Sequence, residues 1–357
     1  MKLFITGICG FVGSSLALAW REARPGWTIT GIDNLIRPGA DRNRGELTRR
    51  GVTVLHGDIR AASDFETLPP VDWVIDAAAN PSVLAGVDGK SSSRQVMEHN
   101  LSGTLNLLEY CKAAKAGFIL LSTSRVYSIP PLAALSVRAE NESFVPDTTA
   151  ALPAGLSEGG VAETFSTAPP VSLYGASKVA SEALAVEYGL TFGFPVWINR
   201  CGVLAGAGQF GHAQQGIFSF WLHSWARGRP LKYIGFGGKG HQVRDALHPR
   251  DLLPILEKQM QAQRPETDCV FNLAGGRGNA MSLAQLSAWC AERRGAREVG
   301  ADAADRPFDI PWMVLDSTKA AKRWGFTVST PLPEILDEID RFADEHPDWL
   351  DISQGNA

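Results

Sequence analysis

Three glycines, Gly7, Gly10 and Gly13, stand three residues apart between an apolar run, Leu3-Phe4-Ile5, and an apolar helix opening, Phe11 to Trp20. The apolar run reads as a short buried strand, so the glycines occupy a strand-to-helix turn. In such a turn Gly7 allows the tight bend, Gly10 lets the backbone approach a pyrophosphate, and Gly13 lets the helix pack closely on the strand. The free N–H groups of the first helical turn then face the phosphates. A glycine-rich turn alone is weak evidence and also occurs as a plain structural feature. The next element narrows the choice. Residues 28–33, Thr-Ile-Thr-Gly-Ile-Asp, read as a second strand ending in Asp33, 20 residues after Gly13. There a carboxylate accepts from the adenosine ribose hydroxyls of a dinucleotide. It would repel a 2′-phosphate, which favours NAD over NADP, although Arg37 and Arg42 keep NADP possible. Asp33-Asn34 is also a turn-like pair.

Strands and helices alternate through the first half. Strands are expected at 52–56, 72–79, 118–123 and 195–199, and helices at 95–114 and 174–190. Such alternation implies an α/β fold, a Rossmann-type doubly wound parallel sheet covered by helices. Residues 128–171 carry Pro, Ala, Ser, Gly and Glu with little periodicity. They are long for a connection, so they form a lid, an extra subdomain or a partly disordered loop. Later segments suggest a helix at 217–226, a glycine-turned hairpin over 233–245, a helix at 249–261 and a strand at 269–273. Further helices are expected at 282–294 and 332–346. The expected organisation is a dinucleotide-binding domain over 1–199, with 248–280 returning to it and 128–171 inserted. A smaller α/β substrate-binding domain, 200–247 and 281–357, is woven into the C-terminal half.

The 357 residues are 45% hydrophobic and 20% charged, which places the chain among ordinary globular proteins. A net charge of −4 offers nothing to nucleic acid or an anionic membrane. Five cysteines, at 9, 111, 201, 269 and 290, form no Cys-x-x-Cys pair. They read as reduced thiols of a cytoplasmic protein with no metal frame. The chain enters its first strand at once, leaving no room for a signal peptide. No run of 18 uninterrupted apolar residues exists to span a membrane.

Chemistry enters with Tyr174-Gly-Ala-Ser-Lys178 and with Ser122-Thr123 upstream. Tyrosine is a poor base near neutrality because its ordinary pKa is about 10, but a nearby ammonium favours the phenolate. Positions i and i+4 share a helix face, so Tyr174 and Lys178 project together. Thr123 ends the fifth strand, at the edge where open parallel sheets bind ligands, and its hydroxyl can bond the reacting oxygen. One such motif is only suggestive. Downstream of a dinucleotide loop it points to removal of a proton from a hydroxyl while a hydride leaves the same carbon, with a sugar as the expected substrate.

With these residues in place, the chain resembles the extended short-chain dehydrogenases that act on nucleotide sugars. The resemblance runs through residues 6–13, Gly57-Asp58-Ile59-Arg60, 100–109, 121–127, the Tyr174–Lys178 motif and 242–248. Within that family it is most similar to the CDP-paratose 2-epimerases, through the Gln209-Phe210 region, 240–248 and the long segment before residue 172. The resemblance implies bound NAD, with Asp58 and Ile59 flanking the adenine, Ala77, Ala78 and Ala79 lining the channel and Asn100 near the nicotinamide. It adds Phe11, Val12, Asn34, Arg37, Ser122 and Cys201 to the cofactor set, together with Tyr174 and Lys178. Thr123, Tyr174 and Lys178 become catalytic. Arg244 and Arg306 become a clamp for the substrate diphosphate, Asp309 a contact to the nucleotide ribose, and Arg200 and Gln209 substrate contacts. A guanidinium suits the geometry of a phosphate. A homodimer paired through helices near 95–114 and 174–190 is also implied.

Two departures narrow the reaction. Sugar 4,6-dehydratases of the family carry Asp-Glu where this chain has Ser124-Arg125, which disfavours dehydration. Many 4-epimerases have Arg-x-x-Asn after the sixth strand, where this chain has Arg200-Cys-Gly-Val203. The expected function is epimerisation of a nucleoside-diphosphate sugar through a transient ketone, CDP-paratose to CDP-tyvelose at C2. The alternatives are a UDP-sugar 4-epimerase, an NAD(P)-linked nucleotide-sugar reductase, and a dinucleotide-binding protein without chemistry.

Overall fold

Seven parallel strands form the centre of the computed structural model, which describes residues 1–84, 86–87, 89, 92–212, 215–304 and 306–355. In chain order they are β1 (Lys2–Thr6), β2 (Thr28–Asp33), β3 (Thr53–His56), β4 (Trp73–Asp76), β5 (Gly117–Thr123), β6 (Val196–Cys201) and β7 (Val270–Leu273). Their spatial order is β7-β6-β5-β4-β1-β2-β3. β4 and β6 are buried at every position and β5 at all but its last residue. Such continuous burial is expected when helices cover both faces of a parallel sheet. The chain winds outward from β1 through β2 to β3, then crosses to β4 and winds the other way. That reversal opens a crevice at the carboxyl ends of β1 and β4.

The expected helix over 95–114 is interrupted. It comprises Ser93–Met97, a wider π-type turn at Glu98–Ser102, and Gly103–Ala114. Such turns interrupt the regular ladder, often at functional sites, and here the turn carries Asn100.

Residues 128–171 fold as a small inserted subdomain. They form a helical turn, Ile129–Ala133, a hairpin of Val137–Glu140 with Ser143–Pro146, and a small pair of Leu156–Ser157 with Gly160–Val161. Tyr127, Leu132, Leu156, Val161 and Phe165 pack with Ile310, Trp312 and Leu315 in a separate apolar core. The backbone N–H groups of Val161 and Phe144 donate to the carbonyls of Val314 and His241, at 2.9 and 2.8 Å. The segment therefore buttresses the C-terminal half.

That half holds a four-stranded sheet of Val203–Leu204, Val243–Leu247, Ala280–Ser282 and Trp312–Met313. Helices Ile217–Ala226, Leu283–Arg294 and Leu332–Glu345 share an apolar core beside it. The hairpin expected over 233–245 does not form. Lys232–Ile234 pairs in parallel with Gly300–Asp302, and Val243–Leu247 pairs with the other short strands. The four glycines between these strands, Gly235, Gly237, Gly238 and Gly240, all have positive φ. They carry the chain away from the first strand instead of folding it back.

Candidate functional site

A cleft with a cavity volume of about 480 Å³ runs from the glycine turn, along the carboxyl ends of the strands, to the C-terminal half. At one end lies the glycine cradle. Gly7 adopts φ +60°, and a Cβ there would stand 2.9 Å from the Cα of Ala78. A Cβ at Gly13 would stand 2.3 Å from the carbonyl oxygen of Gly7. Side chains would fill the space, so the turn leaves bare backbone and the start of helix Phe11–Ala23 facing the cleft, as a pyrophosphate requires.

Asp33 ends β2 on the cleft wall. Its two oxygens accept the Cys9 N–H at 2.9 Å and the Leu35 N–H at 2.8 Å, which aims the carboxylate. Each oxygen keeps a lone pair for a ribose hydroxyl. Burial pushes its pKa above the usual carboxylate range, and the backbone N–H donors oppose that shift. Asn34 and Arg37 line the cleft beside it, Arg37 bonded to Gln215 at 2.7 Å. The cradle and the aimed carboxylate together fit an adenine dinucleotide.

Phe11, Val12, Ile59, Ala77, Ala78, Ala79, Ser122 and Cys201 also line the cleft. Asp58 does not face it directly. Its carboxylate holds Arg60 and Asn34, while its neighbours Gly57 and Ile59 form the wall. Asn100 acts from behind the wall: its side chain accepts the Asn80 N–H at 2.7 Å and donates to the Asn80 carbonyl and to Ser177.

At the centre, Thr123 and Tyr174 meet. Thr123 is the last residue of β5, and Tyr174 lies in the first turn of helix Ser172–Phe192. Burial pushes the Tyr174 phenol up to about 12, while its hydrogen bond with Thr123 and the Arg125 guanidinium pull it back. Lys178, one helical turn on, is almost fully buried, with its ammonium 3.5 Å from the Leu121 carbonyl. The site thus has a phenol, a positioned hydroxyl and a buried cation at the edge of the dinucleotide cleft.

The far end belongs to the C-terminal half. Arg244, Arg306 and Asp309 line the cleft, and Gln209 lies along its wall. Arg244 is bonded to Asp309 at 2.9 Å and to the carbonyls of Val243 and Ile310. The expectation for Arg200 is corrected. Arg200 is bound in a buried ion pair with Glu182, through Nη2 at 2.7 Å and Nε at 3.1 Å, and stands outside the cleft lining. Glu182 also accepts from the Ser122 hydroxyl at 2.5 Å. Both donors belong to neighbouring strand ends, so the pair braces the sheet edge that carries Thr123. Arg125 faces the cleft between Tyr174 and Arg244 and was missed as a site residue. Its place two residues beyond Thr123 was the available signal. No group of three or more His, Cys, Asp or Glu side chains among the described residues could hold a metal.

Comparison with known proteins gives consistent relatives. Residues 3–274 match the NAD dependent epimerase/dehydratase family. The chain is 29% identical to CDP-paratose 2-epimerase of Salmonella typhi over 80% of its own length and 82% of that protein's. It is also 29% identical to UDP-glucuronate 4-epimerase 1 of Arabidopsis thaliana, over 71% of this chain and 53% of the relative. Among solved structures, UDP-glucose 4-epimerase of Thermotoga maritima, crystallised with UDP-glucose, superposes with a TM-score of 0.76. It is 23% identical and the match covers 97% and 99% of the two chains. That last likeness concerns the fold alone.

Proposed function

The chain belongs to the NAD dependent epimerase/dehydratase family, and from that premise we propose that it converts CDP-paratose to CDP-tyvelose by inverting C2. It is an enzyme of the nucleotide-sugar epimerase kind, and its cofactor is NAD. The observation that carries the reading is the meeting of Tyr174 and Thr123 in a cleft shared with the glycine cradle at one end and Arg244 and Arg306 at the other. The Salmonella typhi relative supports the cytidine sugar.

Gly7, Gly10, Gly13 and Asp33 would hold NAD, which supplies the acceptor for the sugar hydride and its return. Tyr174, as phenolate, takes the proton from the ring hydroxyl undergoing oxidation and gives it back when the ketone is reduced. The Arg125 guanidinium favours the phenolate, and Lys178, one helical turn on, would add its positive charge. Thr123 donates to the reacting oxygen and fixes its distance from Tyr174. Arg244 and Arg306 hold the diphosphate while the sugar turns its other face. No redox equivalent is consumed. Ser124 and Arg125 carry no carboxylate to remove water from the sugar, which supports epimerisation over dehydration.

Leu105, Leu190 and Phe192 are exposed large apolar side chains on the two helices expected to pair, which supports a homodimer. Five buried free thiols suit a reducing cytoplasm. No helix among the described residues is long and apolar enough to cross a membrane.

The test is incubation of the purified protein, without added cofactor, with CDP-paratose and a panel of UDP-, GDP- and dTDP-sugars, following anomeric protons by NMR. A new epimer from the CDP-sugar alone is expected. A new epimer from a UDP-sugar would replace the substrate and keep the chemistry. Product formed only with consumption of NADH or NADPH would mark a reductase.

A further inference from the structure

The reaction scheme leaves one cleft guanidinium without a contact to the substrate. Arg125 sits on the single helical turn Ser124–Val126 that leaves β5. Its N–H donates to the Thr123 hydroxyl oxygen at 3.2 Å. A Cβ at Gly175 would come within 2.4 Å of the Arg125 carbonyl oxygen, so the start of the Tyr174 helix is pressed against this residue. Its side chain reaches the other way. Nη1 makes a long hydrogen bond, 3.5 Å, to the carbonyl of Phe308, in the loop that carries Arg306 and Asp309. One side chain therefore joins the reacting end of the cleft to the loop of the phosphate clamp.

Among the described residues that line this end of the cleft, three guanidiniums, Arg125, Arg244 and Arg306, face one carboxylate, Asp309, which is already bonded to Arg244. Burial lowers the Arg125 guanidinium to about 10, and the charge of Arg244 adds to that effect. An uncompensated cation in a partly desolvated cleft is relieved by an anion that accepts its N–H donors. In a nucleotide sugar the β-phosphate is joined to C1. The ring carbon next to it is C2, whereas C4 lies across the ring. A phosphate held beside Tyr174 therefore brings C2 to the phenol, whereas a 4-epimerase must keep the two groups a ring's width apart.

We propose that Arg125 determines which carbon reacts: its guanidinium takes the β-phosphate at the Tyr174 end of the cleft and so presents C2 to the phenol. This deepens the 2-epimerase reading and rests on it.

The test uses the holoprotein and the variants Arg125→Met and Arg125→Lys. Calorimetry gives the affinities of CDP, CMP, UDP and UMP, and NMR gives kcat and KM with CDP-paratose. Arg125→Met should weaken CDP by about 10- to 100-fold, the worth of a charge-assisted phosphate contact. CMP, which lacks the β-phosphate, should bind within about twofold of the parent, and Arg125→Lys should fall between. The loss in kcat/KM should follow the loss of CDP. Equal losses for CDP and CMP, or no loss for either, overturn the proposal. A parent protein that prefers the uridine pair but still inverts C2 overturns the cytidine reading instead, whereas one that inverts C4 overturns the claim that Arg125 presents C2. The same difference between diphosphate and monophosphate, taken with UDP and UMP, then decides whether Arg125 meets the β-phosphate.

Discussion

Tyr174→Phe is expected to lower turnover by about 10²- to 10⁴-fold, the usual worth of a positioned general acid–base group, while the purified protein keeps its bound NAD. Phenylalanine preserves the ring in its buried seat and removes only the hydroxyl that bonds Thr123. The glycine cradle and Asp33 lie elsewhere in the cleft, so cofactor retention should not change. Measuring kcat by NMR, together with the 260 nm absorbance of cofactor released on denaturation, separates the two effects. Full turnover in the phenylalanine protein would remove Tyr174 from the mechanism, and loss of NAD with unchanged kcat per occupied site would reassign it to cofactor binding.

Arg200→Met is expected to destabilise the protein by about 3–5 kcal/mol, because it leaves the Glu182 carboxylate buried with its main counter-charge gone. The pair is among the most enclosed in the molecule, with side chains 9% and 7% exposed, and the carboxylate accepts both Arg200 and Ser122. Arg200 also reaches the Tyr127 hydroxyl at 3.3 Å and lies over its ring, so methionine loses packing as well as charge. The double variant Arg200→Met, Glu182→Met should recover most of the loss, since a buried pair replaced by apolar groups of similar volume is often near neutral. Urea unfolding midpoints of the three proteins decide the matter. An Arg200→Met protein with parent stability but a raised KM would return Arg200 to the substrate site.

The parts legible in the sequence are those whose physics is local. Gly7, Gly10 and Gly13 stand in one turn, Asp33 closes the next strand, and Tyr174 and Lys178 share one helical turn. Three strands of the central sheet, β4, β5 and β6, are buried almost throughout, so they announce themselves as apolar runs. The C-terminal half offers no such runs: its strands are two to five residues long, and their partners lie far along the chain. Lys232–Ile234 was expected to turn back on its neighbour because glycines follow it, yet its partner is Gly300–Asp302. Nothing within the 233–245 window reports that strand. Arg200 misled for a related reason. Its sequence position suits a substrate contact, and only the three-dimensional approach of Glu182 from the neighbouring helix reveals the buried pair. Arg125 was noticed only as the absence of a carboxylate, and its reach to Phe308, 183 residues away, depends on the two halves coming together.

The most direct test of hydride return to the same carbon uses CDP-paratose deuterated at C2, incubated with the protein in ordinary water without added cofactor. The expected product is CDP-tyvelose with its deuterium still on C2, because the hydride leaves and returns without meeting solvent. Product that has exchanged its deuterium for a solvent proton would contradict the account, since C2 would then invert by proton removal, with no hydride passing to NAD.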